Sequence, residues 1–340
     1  MASGFRIDGR NRMTSTDKNH WIAGLDEAGY GPWLGPMVIG FVSLKAKKGT
    51  SPSAPWDLVP NLGRAGRREK GIISVADSKK LHRPGKGDLT RLEEAVLAFV
   101  TIDRGESPKT FRELIDHLTA GRSDYLDLYP WYQNQDLPLP FSAEPIDLSG
   151  KSRKLERGLE AAGMEVGEVR AIPLEVQEFN SEVSSRGSKG AVDAWAMGRF
   201  LHWLWMIEDR HSIEVWTDRL GGRERYGPFL YPLFPGCQFK ILEQNKDAQS
   251  YRADNPAGKT LEVHFRKECE DHSFCTALAS MTAKYLRELH MVLLNRWWAE
   301  HLPELKPTAG YPQDARRFIS EVDEVRSGLG IDKEILVRSR

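Results

Sequence analysis

The sequence has few cysteines and no long apolar run. Its three cysteines, Cys237, Cys269 and Cys275, are odd in number and lack CxxC spacing, which favours reduced thiols over a disulfide framework or a zinc site. Residues 1–20 contain no apolar signal segment, and no later stretch has about eighteen uninterrupted apolar residues, which argues against secretion and membrane spanning. We therefore expect a cytoplasmic protein.

The sequence also lacks a net charge, because 48 Lys and Arg residues balance 48 Asp and Glu residues. A neutral protein has no overall field that draws it to nucleic acid, so any phosphate-binding surface has to be a local patch. This balance counts against a protein that simply coats nucleic acid.

The length of 340 residues is enough to bury a large core. We expect one α/β domain over 21–320, a mixed sheet flanked by helices, with an inserted segment at about 101–150. Residues 1–20 are polar and predict a flexible tail, and 321–340 are expected to form a C-terminal tail. The stretch 45–70 is rich in Lys, Pro, Gly and Arg, which predicts a loop or flap.

The segment 21–36, WIAGLDEAGYGPWLGP, organises the chain. An apolar lead-in runs into the adjacent acids Asp26 and Glu27, then into a turn rich in Gly and Pro, and then into the apolar run 37–44. This pattern predicts a strand, a tight turn and a second strand. Because side chains alternate along a strand, Asp26 shares a face with Gly24 and projects where the sheet begins to open.

Further elements follow from the spacing of apolar residues. Helices are predicted over 88–100, 151–163, 191–207 and 274–300. Strands are predicted over 166–174, 213–218, 238–243 and 260–265, the last two separated by a hairpin. The strand that ends at Asp218 delivers another carboxylate to an edge of the sheet.

Two groups of residues allow more than one interpretation. Lys79 and Lys80 precede a helix and either meet phosphates or are merely solvated, and solvated lysines are the more common case. Four aromatic side chains either stack on bases or form a local mini-core, which is the more frequent outcome. They are Tyr125, Tyr129, Trp131 and Tyr132.

The predicted helix 274–300 carries a polar stripe, because Ser280, Lys284 and Glu288 are spaced at i, i+4 and i+8. Two strand ends and this helix together supply four candidate carboxylates, Asp26, Glu27, Asp218 and Glu288. Such a set suits two Mg²⁺ or Mn²⁺ ions about 4 Å apart, which prefer oxygen ligands and together clamp a phosphodiester. Spacing alone does not single out these four among the many acids of the chain.

Six short blocks follow one another as GLDEAGYGPWLGP, ADSKKL, EFN, VWTDRLGG, ALASMTAKYLRE and AGYP. In this order they resemble ribonuclease HII, the type 2 ribonuclease H family, whose patterns include GxDExGRGxxxGP, DSKKL and AASIxAKxxRD. The resemblance covers 22–44, about 76–100 and about 166–318. It implies a ribonuclease H-like fold and metal-dependent cleavage of the RNA strand of RNA–DNA hybrids, leaving 3′-hydroxyl and 5′-phosphate ends.

The resemblance also implies which residues would hold the metal ions. Asp26 would bridge two Mg²⁺ or Mn²⁺ ions, Glu27 and Asp218 would complete one ion, and Glu288 would complete the other. Water, and no protein side chain, would be the nucleophile.

The substrate would be an RNA–DNA hybrid or a duplex that contains ribonucleotides. The resemblance implies that backbone groups of Gly29, Tyr30 and Gly31 sense ribose 2′-hydroxyls, which distinguish RNA from DNA. Tyr311 would pack against a deoxyribose beyond an RNA-to-DNA junction. Phosphates would be held, or the acids oriented, by Lys79, Lys80, Ser280 and Lys284.

The chain departs from the family pattern at several positions. Tyr30 stands where an Arg is usual, so one cation near the substrate is lost. Glu288 stands where an Asp is usual, and its extra methylene moves the carboxylate about 1.5 Å outwards, whereas metal–ligand distances tolerate only a few tenths of an ångström. Thr308 and Ala309 replace a His-Lys pair, so cleavage of hybrids is better supported than the reading of single ribonucleotides in DNA.

Two other functions are weighed against this one. A non-catalytic or weakly catalytic hybrid-binding protein of the same fold is motivated by Tyr30 and Glu288. A nuclease of the same fold that acts on DNA junctions is disfavoured by the block that senses 2′-hydroxyls.

We expect the protein to be a monomer.

Overall fold

The computed structural model describes residues 20–64, 71–82, 89–142, 148–221 and 223–339. The strands in these ranges are β1 (His20–Ala28), β2 (Met37–Ala46), β3 (Leu62–Gly63), β4 (Ile73–Ser74), β5 (Met164–Leu174), β6 (Ser212–Asp218), β7 (Gln238–Gln244), β8 (Ala248–Asp254) and β9 (Thr260–Arg266). Residues 1–19, predicted as part of a flexible tail, lie outside the described ranges.

The α-helices in the same ranges are α1 (Ala54–Leu58), α2 (Ser78–Leu81), α3 (Thr90–Arg104), α4 (Phe111–Leu118), α5 (Leu148–Ala161), α6 (Val176–Arg186), α7 (Lys189–Met206), α8 (Gly227–Leu230), α9 (Phe274–His301), α10 (Pro312–Gly328) and α11 (Lys333–Leu336). Short 3₁₀ helices cover Asp124–Leu128, Tyr231–Leu233 and Cys269–Asp271. No helix of the described part is both long enough and apolar enough to cross a bilayer.

Seven strands form one mixed sheet in the order β5-β2-β1-β6-β9-β8-β7. β1, β6 and β9 run parallel to one another, and β2 lies antiparallel between β1 and β5. Helices cover both faces of this sheet, so the predicted α/β architecture of a mixed sheet flanked by helices is confirmed.

α9 packs directly on one face of β1 because Gly24 has no side chain. A Cβ atom built on Gly24 would overlap the backbone of Cys275 and Thr276. The Cys275 thiol donates a hydrogen bond of 3.4 Å to the Ile22 carbonyl in the same contact. The α9 backbone is therefore held against the strand that ends in Asp26.

α7 packs on the opposite face. Ala23 and Leu25 of β1 lie in one apolar cluster with Met197 and Leu201 of α7. Phe200 of α7 also belongs to this cluster, as the helical spacing of 191–207 predicts. The two helices thus approach the end of β1 from opposite sides of the sheet.

The region between the two predicted strands 238–243 and 260–265 differs from the prediction. The structure has a third strand there, β8, which pairs with both β7 and β9. Gln249 and Ser250 of β8 are buried although they are polar, so the apolar alternation that predicts a strand is weak.

The aromatic residues of the predicted insertion form a mini-core. Tyr129, Trp131 and Tyr132 are each at most 2 % exposed and contact one another. The Tyr125 hydroxyl and the Nε2 atom of His290 form a hydrogen bond of 2.9 Å. Of the two interpretations given above, the mini-core therefore holds and base stacking does not.

Two other segments are more ordered than their composition predicts. The expected loop 45–70 contains α1 and β3, while 65–70 lies outside the described residues. The expected C-terminal tail contains the end of α10 and α11, and its Val322 and Leu336 are fully buried. Apolar residues of α10 and α11, including Val322 and Leu336, pack in the core and join this segment to the domain.

Candidate active site

Two neighbouring parallel strands end at the same edge of the sheet and bring three acids together. β1 and β6 are paired so that Leu25 lies opposite Thr217, and the residues that follow are Asp26 and Asp218. Glu27 comes next on β1. The acids that the sequence predicts at the two strand ends therefore meet at one edge.

Asp26 and Glu27 project to opposite faces of the sheet because they are consecutive in a strand. Ser280 of α9 lies beside Asp26 and lowers the pKa of its carboxyl group, and the Ser280 hydroxyl donates a hydrogen bond to Ser78 at 3.0 Å. Glu27 lies on the other side, where Asp193 of α7 is the charged group that acts most strongly on it. Acidic side chains consequently surround the end of β1 on both faces.

Burial and mutual repulsion raise the pKa values of this cluster. Burial raises the pKa of Asp26 well above its usual value, and the charges of Glu27, Glu270 and Asp218 raise it further. Burial raises the pKa of Glu27 to about 8, together with the charges of Asp193 and Asp218. Carboxylates in this situation are stabilised by binding protons or cations.

Glu270 completes the cluster on the α9 side, and the sequence-based prediction missed it. It lies in the 3₁₀ turn Cys269–Asp271, directly before α9, and is 5 % exposed. Burial raises its pKa, as does the charge of Asp218. An acid in the short connection between β9 and α9 was the available signal, but the prediction considered only strand ends and a helical stripe.

Glu288, the predicted fourth acid, lies in a different environment. Its carboxylate accepts hydrogen bonds from Lys284 at 2.7 Å and from Arg287 at 3.2 Å, and His82 lies 4.0 Å away. Burial alone would raise the pKa of Glu288, but the charges of Lys284 and Arg287 hold it below its usual value. Glu288 is thus paired with two cations, whereas the charges that act most strongly on Asp26, Glu27 and Asp218 come from other residues.

Helix geometry explains this difference. Ser280 contacts Asp26, and Glu288 follows eight residues later on the same stripe of α9. A rise of 1.5 Å per residue places it about 12 Å further along the helix axis. The predicted stripe exists, but it leads away from the acids.

The predicted phosphate-binding residues divide in the same way. Burial would lower the pKa of Lys79, but the carboxylates of Asp26, Asp77 and Glu270 raise it, which places its ammonium group beside the acids. Lys80 is paired instead with Asp271, at 2.6 Å. Lys284 is engaged with Glu288, as described above.

The turn after β1 combines a constrained backbone with an open surface. Gly29 has φ +87°, and a Cβ atom there would lie 2.7 Å from the Pro36 carbonyl oxygen, so this position requires glycine. Tyr30 is 37 % exposed, and a Cβ atom added at Gly31 would meet nothing within 4 Å. Backbone groups of this turn are therefore accessible beside the acids.

Tyr311 lies close to the same turn. The Gly310 carbonyl accepts a hydrogen bond from the Trp33 amide at 2.7 Å, which joins the AGYP block to the turn. The Arg287 guanidinium, 1 % exposed, donates to the Ala309 carbonyl at 2.9 Å and lies 5.9 Å from the centre of the Tyr311 ring. Tyr311 itself is 41 % exposed.

A second buried arginine fixes the turn from the C-terminal end. The amide of Arg338 donates to the Trp33 carbonyl at 2.8 Å, and its guanidinium donates to the Pro32 carbonyl. Burial lowers the pKa of Arg338 to about 9, as does the charge of Arg287. The last described residues thus hold the turn that carries Tyr30 and Gly31.

The donor chemistry of the cluster fits divalent cations. Hard cations such as Mg²⁺ and Mn²⁺ prefer carboxylate oxygens, which this edge supplies. The Asp193 Oδ1 atom is buried without a hydrogen-bond partner in the described part of the chain. Over those same residues, no three His, Cys, Asp or Glu side chains are already arranged around one metal position.

Comparison with known proteins gives one significant match in sequence. No family model matches the chain. A segment of 41 residues, 12 % of the chain, is 56 % identical to the ribonuclease HII of Methanococcus aeolicus and covers 15 % of that protein. The similarity to ribonuclease HII expected from the sequence blocks is thereby confirmed, although the match spans well under two thirds of the relative.

Several solved structures are distantly similar over most of the chain. They include the ribonuclease HII in a complex with PCNA from Archaeoglobus fulgidus, at 13 % identity, 94 % coverage of each chain and a TM-score of 0.41. The ribonuclease H2 of Pyrococcus horikoshii is 14 % identical, with 93 % and 92 % coverage and a TM-score of 0.40. Bst-RNase HIII in a complex with Mn²⁺ is 14 % identical, with 94 % and 66 % coverage and a TM-score of 0.39.

Proposed function

We propose that the chain is a divalent-metal-dependent endoribonuclease that cuts the RNA strand of RNA–DNA hybrids and leaves 3′-hydroxyl and 5′-phosphate ends. The observation that carries this proposal is the meeting of Asp26, Glu27 and Asp218 at one sheet edge, with Glu270 beside them. The sequence blocks that resemble ribonuclease HII lead into this same edge.

The proposed metal ligands are Asp26, Glu27, Asp218 and Glu270. Asp26 is central, because it interacts with each of the other three. When bound, a pair of divalent ions supplies an activated water and a charge that stabilises the leaving 3′-oxygen. Glu288 is replaced by Glu270 in this set, since Glu288 is already neutralised by Lys284 and Arg287.

The side chains of the protein have positioning roles in this scheme. Ser280 lies beside the Asp26 carboxyl group, lowers its pKa and thereby stabilises its charged form. Lys79 lies beside the same acids and is placed to meet a phosphate oxygen there. No side chain of the protein has to form a covalent bond to the substrate.

The proposed substrate surface is the turn beside the acids. The backbone at Tyr30 and Gly31 is accessible and is proposed to contact ribose 2′-hydroxyls, which hybrids offer on one strand only. The exposed Tyr311 ring lies on the same side, held next to the turn by the bond from Trp33 to Gly310. Duplexes with embedded ribonucleotides are a proposed second substrate.

The rival hypothesis of a hybrid-binding protein without catalysis loses one of its two motives. It was motivated partly by Glu288 at the fourth acid position, and Glu270 now supplies a carboxylate beside Asp26 and Asp218. The change at Tyr30 affects a side chain, whereas the proposed contact there is made by the backbone.

A labelled RNA–DNA hybrid tests the proposal. We expect cleavage of its RNA strand with Mg²⁺ or Mn²⁺ and none with excess EDTA, while double-stranded DNA and single-stranded RNA of the same sequence stay intact. A hybrid that binds but remains uncut with both metals would favour the binding protein. Equal cutting of the DNA duplex would refute the specificity for RNA.

A further inference from the structure

Asp193 is a buried acid that neither the sequence blocks nor the strand ends account for. It lies near the start of α7 and is 3 % exposed, between the buried apolar residues Val192 and Ala194. A carboxylate in an apolar helix is costly unless a partner compensates its charge. The buried carboxylate of Asp193 therefore needs a hydrogen-bond donor or a positive charge beside it.

The compensation within the described residues is incomplete. The Oδ1 atom of Asp193 has no hydrogen-bond partner among them. Arg223 is the cation that acts most strongly on Asp193, but the acid Asp26 acts on it more strongly than Arg223 does. One oxygen of this carboxylate is thus buried, unpaired and close to other negative charges.

The position of Asp193 follows from the way α7 packs. α7 lies on the face of the sheet to which Leu25 and Glu27 point. Asp193 raises the pKa of Glu27 more than any other charged group does. It also acts on the Tyr30 hydroxyl in the turn that follows. A Cβ atom added at Gly190, three residues before Asp193 on α7, would lie 3.8 Å from the Tyr30 hydroxyl oxygen, so this end of α7 adjoins the acids from the side opposite to Glu270.

We propose that Asp193 is a fifth carboxylate of the divalent-cation site and ligates, through its unpaired Oδ1 atom, the ion that Glu27 and Asp218 hold. This inference rests on the proposed function, because it extends the same site. It gives the cluster one flanking acid on each face of the sheet, Glu270 beside α9 and Asp193 on α7. A cation there would neutralise a charge that the fold otherwise leaves buried.

Mn²⁺ binding without any nucleic acid tests this inference separately from cleavage. We would titrate the full chain with Mn²⁺ and follow free Mn²⁺ by electron paramagnetic resonance. Asp193→Asn is expected to weaken one of the two binding events about tenfold to a hundredfold. Asp209→Asn, which changes an exposed acid in the turn after α7, is the matched control and is expected to bind like the unmodified chain.

The outcomes separate the two proposals. Unchanged Mn²⁺ binding by a folded Asp193→Asn variant would overturn the role of Asp193, and Asp193→Ser serves as a second variant that removes the carboxylate. Weakened Mn²⁺ binding in these variants, together with failure of the unmodified chain to cut the hybrid, would leave the role of Asp193 intact and refute the nuclease. Failure of the unmodified chain to bind Mn²⁺ would refute both.

Discussion

Asp26→Asn is expected to reduce cleavage of an RNA–DNA hybrid by about a thousandfold, which corresponds to ~4 kcal/mol of lost transition-state stabilisation. Asp26 lies between the acids of both sheet faces, so its carboxylate is the ligand that both ions would share. The amide of Asn keeps the size of the side chain and removes the charge. Single-turnover cleavage with saturating enzyme and Mg²⁺ measures the effect without a contribution from substrate binding.

Asp26→Asn should also change how the stability of the protein depends on pH. This measurement on the folded variant shows that lost cleavage is not the result of misfolding. The pKa of Glu27 rises from 4.5 to about 8 on folding, and that of Asp26 rises as well. Between pH 4.5 and about 8, the folded protein without metal therefore holds more protons than the unfolded chain. The contribution of these protonated acids to stability is present at low pH and is lost as the pH rises towards 8. Asp26→Asn should lose less stability over that interval. Full cleavage by the variant, or an unaltered pH dependence of its Tm, would contradict the account.

Glu270→Gln and Glu288→Gln form a matched pair that should give opposite results. Glu270→Gln is expected to lower hybrid cleavage about a hundredfold, because Glu270 is the acid that adjoins Asp26 and Asp218 from the α9 side. Removal of one charge relieves repulsion within the cluster, so the stability of this variant should stay the same or rise slightly.

Glu288→Gln should instead keep most of the cleavage activity and lose about 3 kcal/mol of stability, because it leaves Lys284 and Arg287 buried without their anion. Chemical denaturation and the hybrid assay on both variants measure the two effects. Loss of cleavage in Glu288→Gln, with a normal Glu270→Gln, would restore the fourth acid that the sequence predicts.

The end of β1 shows which parts of the site can be predicted from sequence patterns. Alternation along a strand correctly places Asp26 on the face of Gly24, and the apolar runs predict the two strands that meet at the site. Such patterns extend over only a few residues, within which covalent geometry fixes the direction of each side chain. They cannot state which helix covers which face, so the neighbours of Glu27 and Asp26 are known only from the packing of α7 and α9.

Glu270 and Asp193 show why the remaining acids were missed. Glu270 lies in a 3₁₀ turn with no periodicity to reveal which way its side chain points. Asp193 is one polar residue within an apolar helix, a pattern that marks burial and leaves the partner unnamed. Glu288 has the expected helical spacing, but spacing fixes only the stripe and not the distance along the axis.

The buried arginines were also beyond sequence analysis. Arg287 and Arg338 are at most 2 % exposed, although most arginines are solvated. Each satisfies backbone carbonyls of the turn after β1, at Leu34 and Pro32 respectively. Such contacts join residues about 250 or more positions apart along the chain, so only the folded structure brings them together.

The acids at the ends of β1 and β6 are proposed to form a divalent-cation site. Crystals of the protein soaked in Mn²⁺, with anomalous diffraction recorded for manganese, test it most directly. We expect two anomalous peaks about 4 Å apart, which mark two manganese ions. The Asp26 carboxylate should bind both ions, and Glu270 should bind one of them. Peaks elsewhere, or none at this edge in fully soaked crystals, would contradict it.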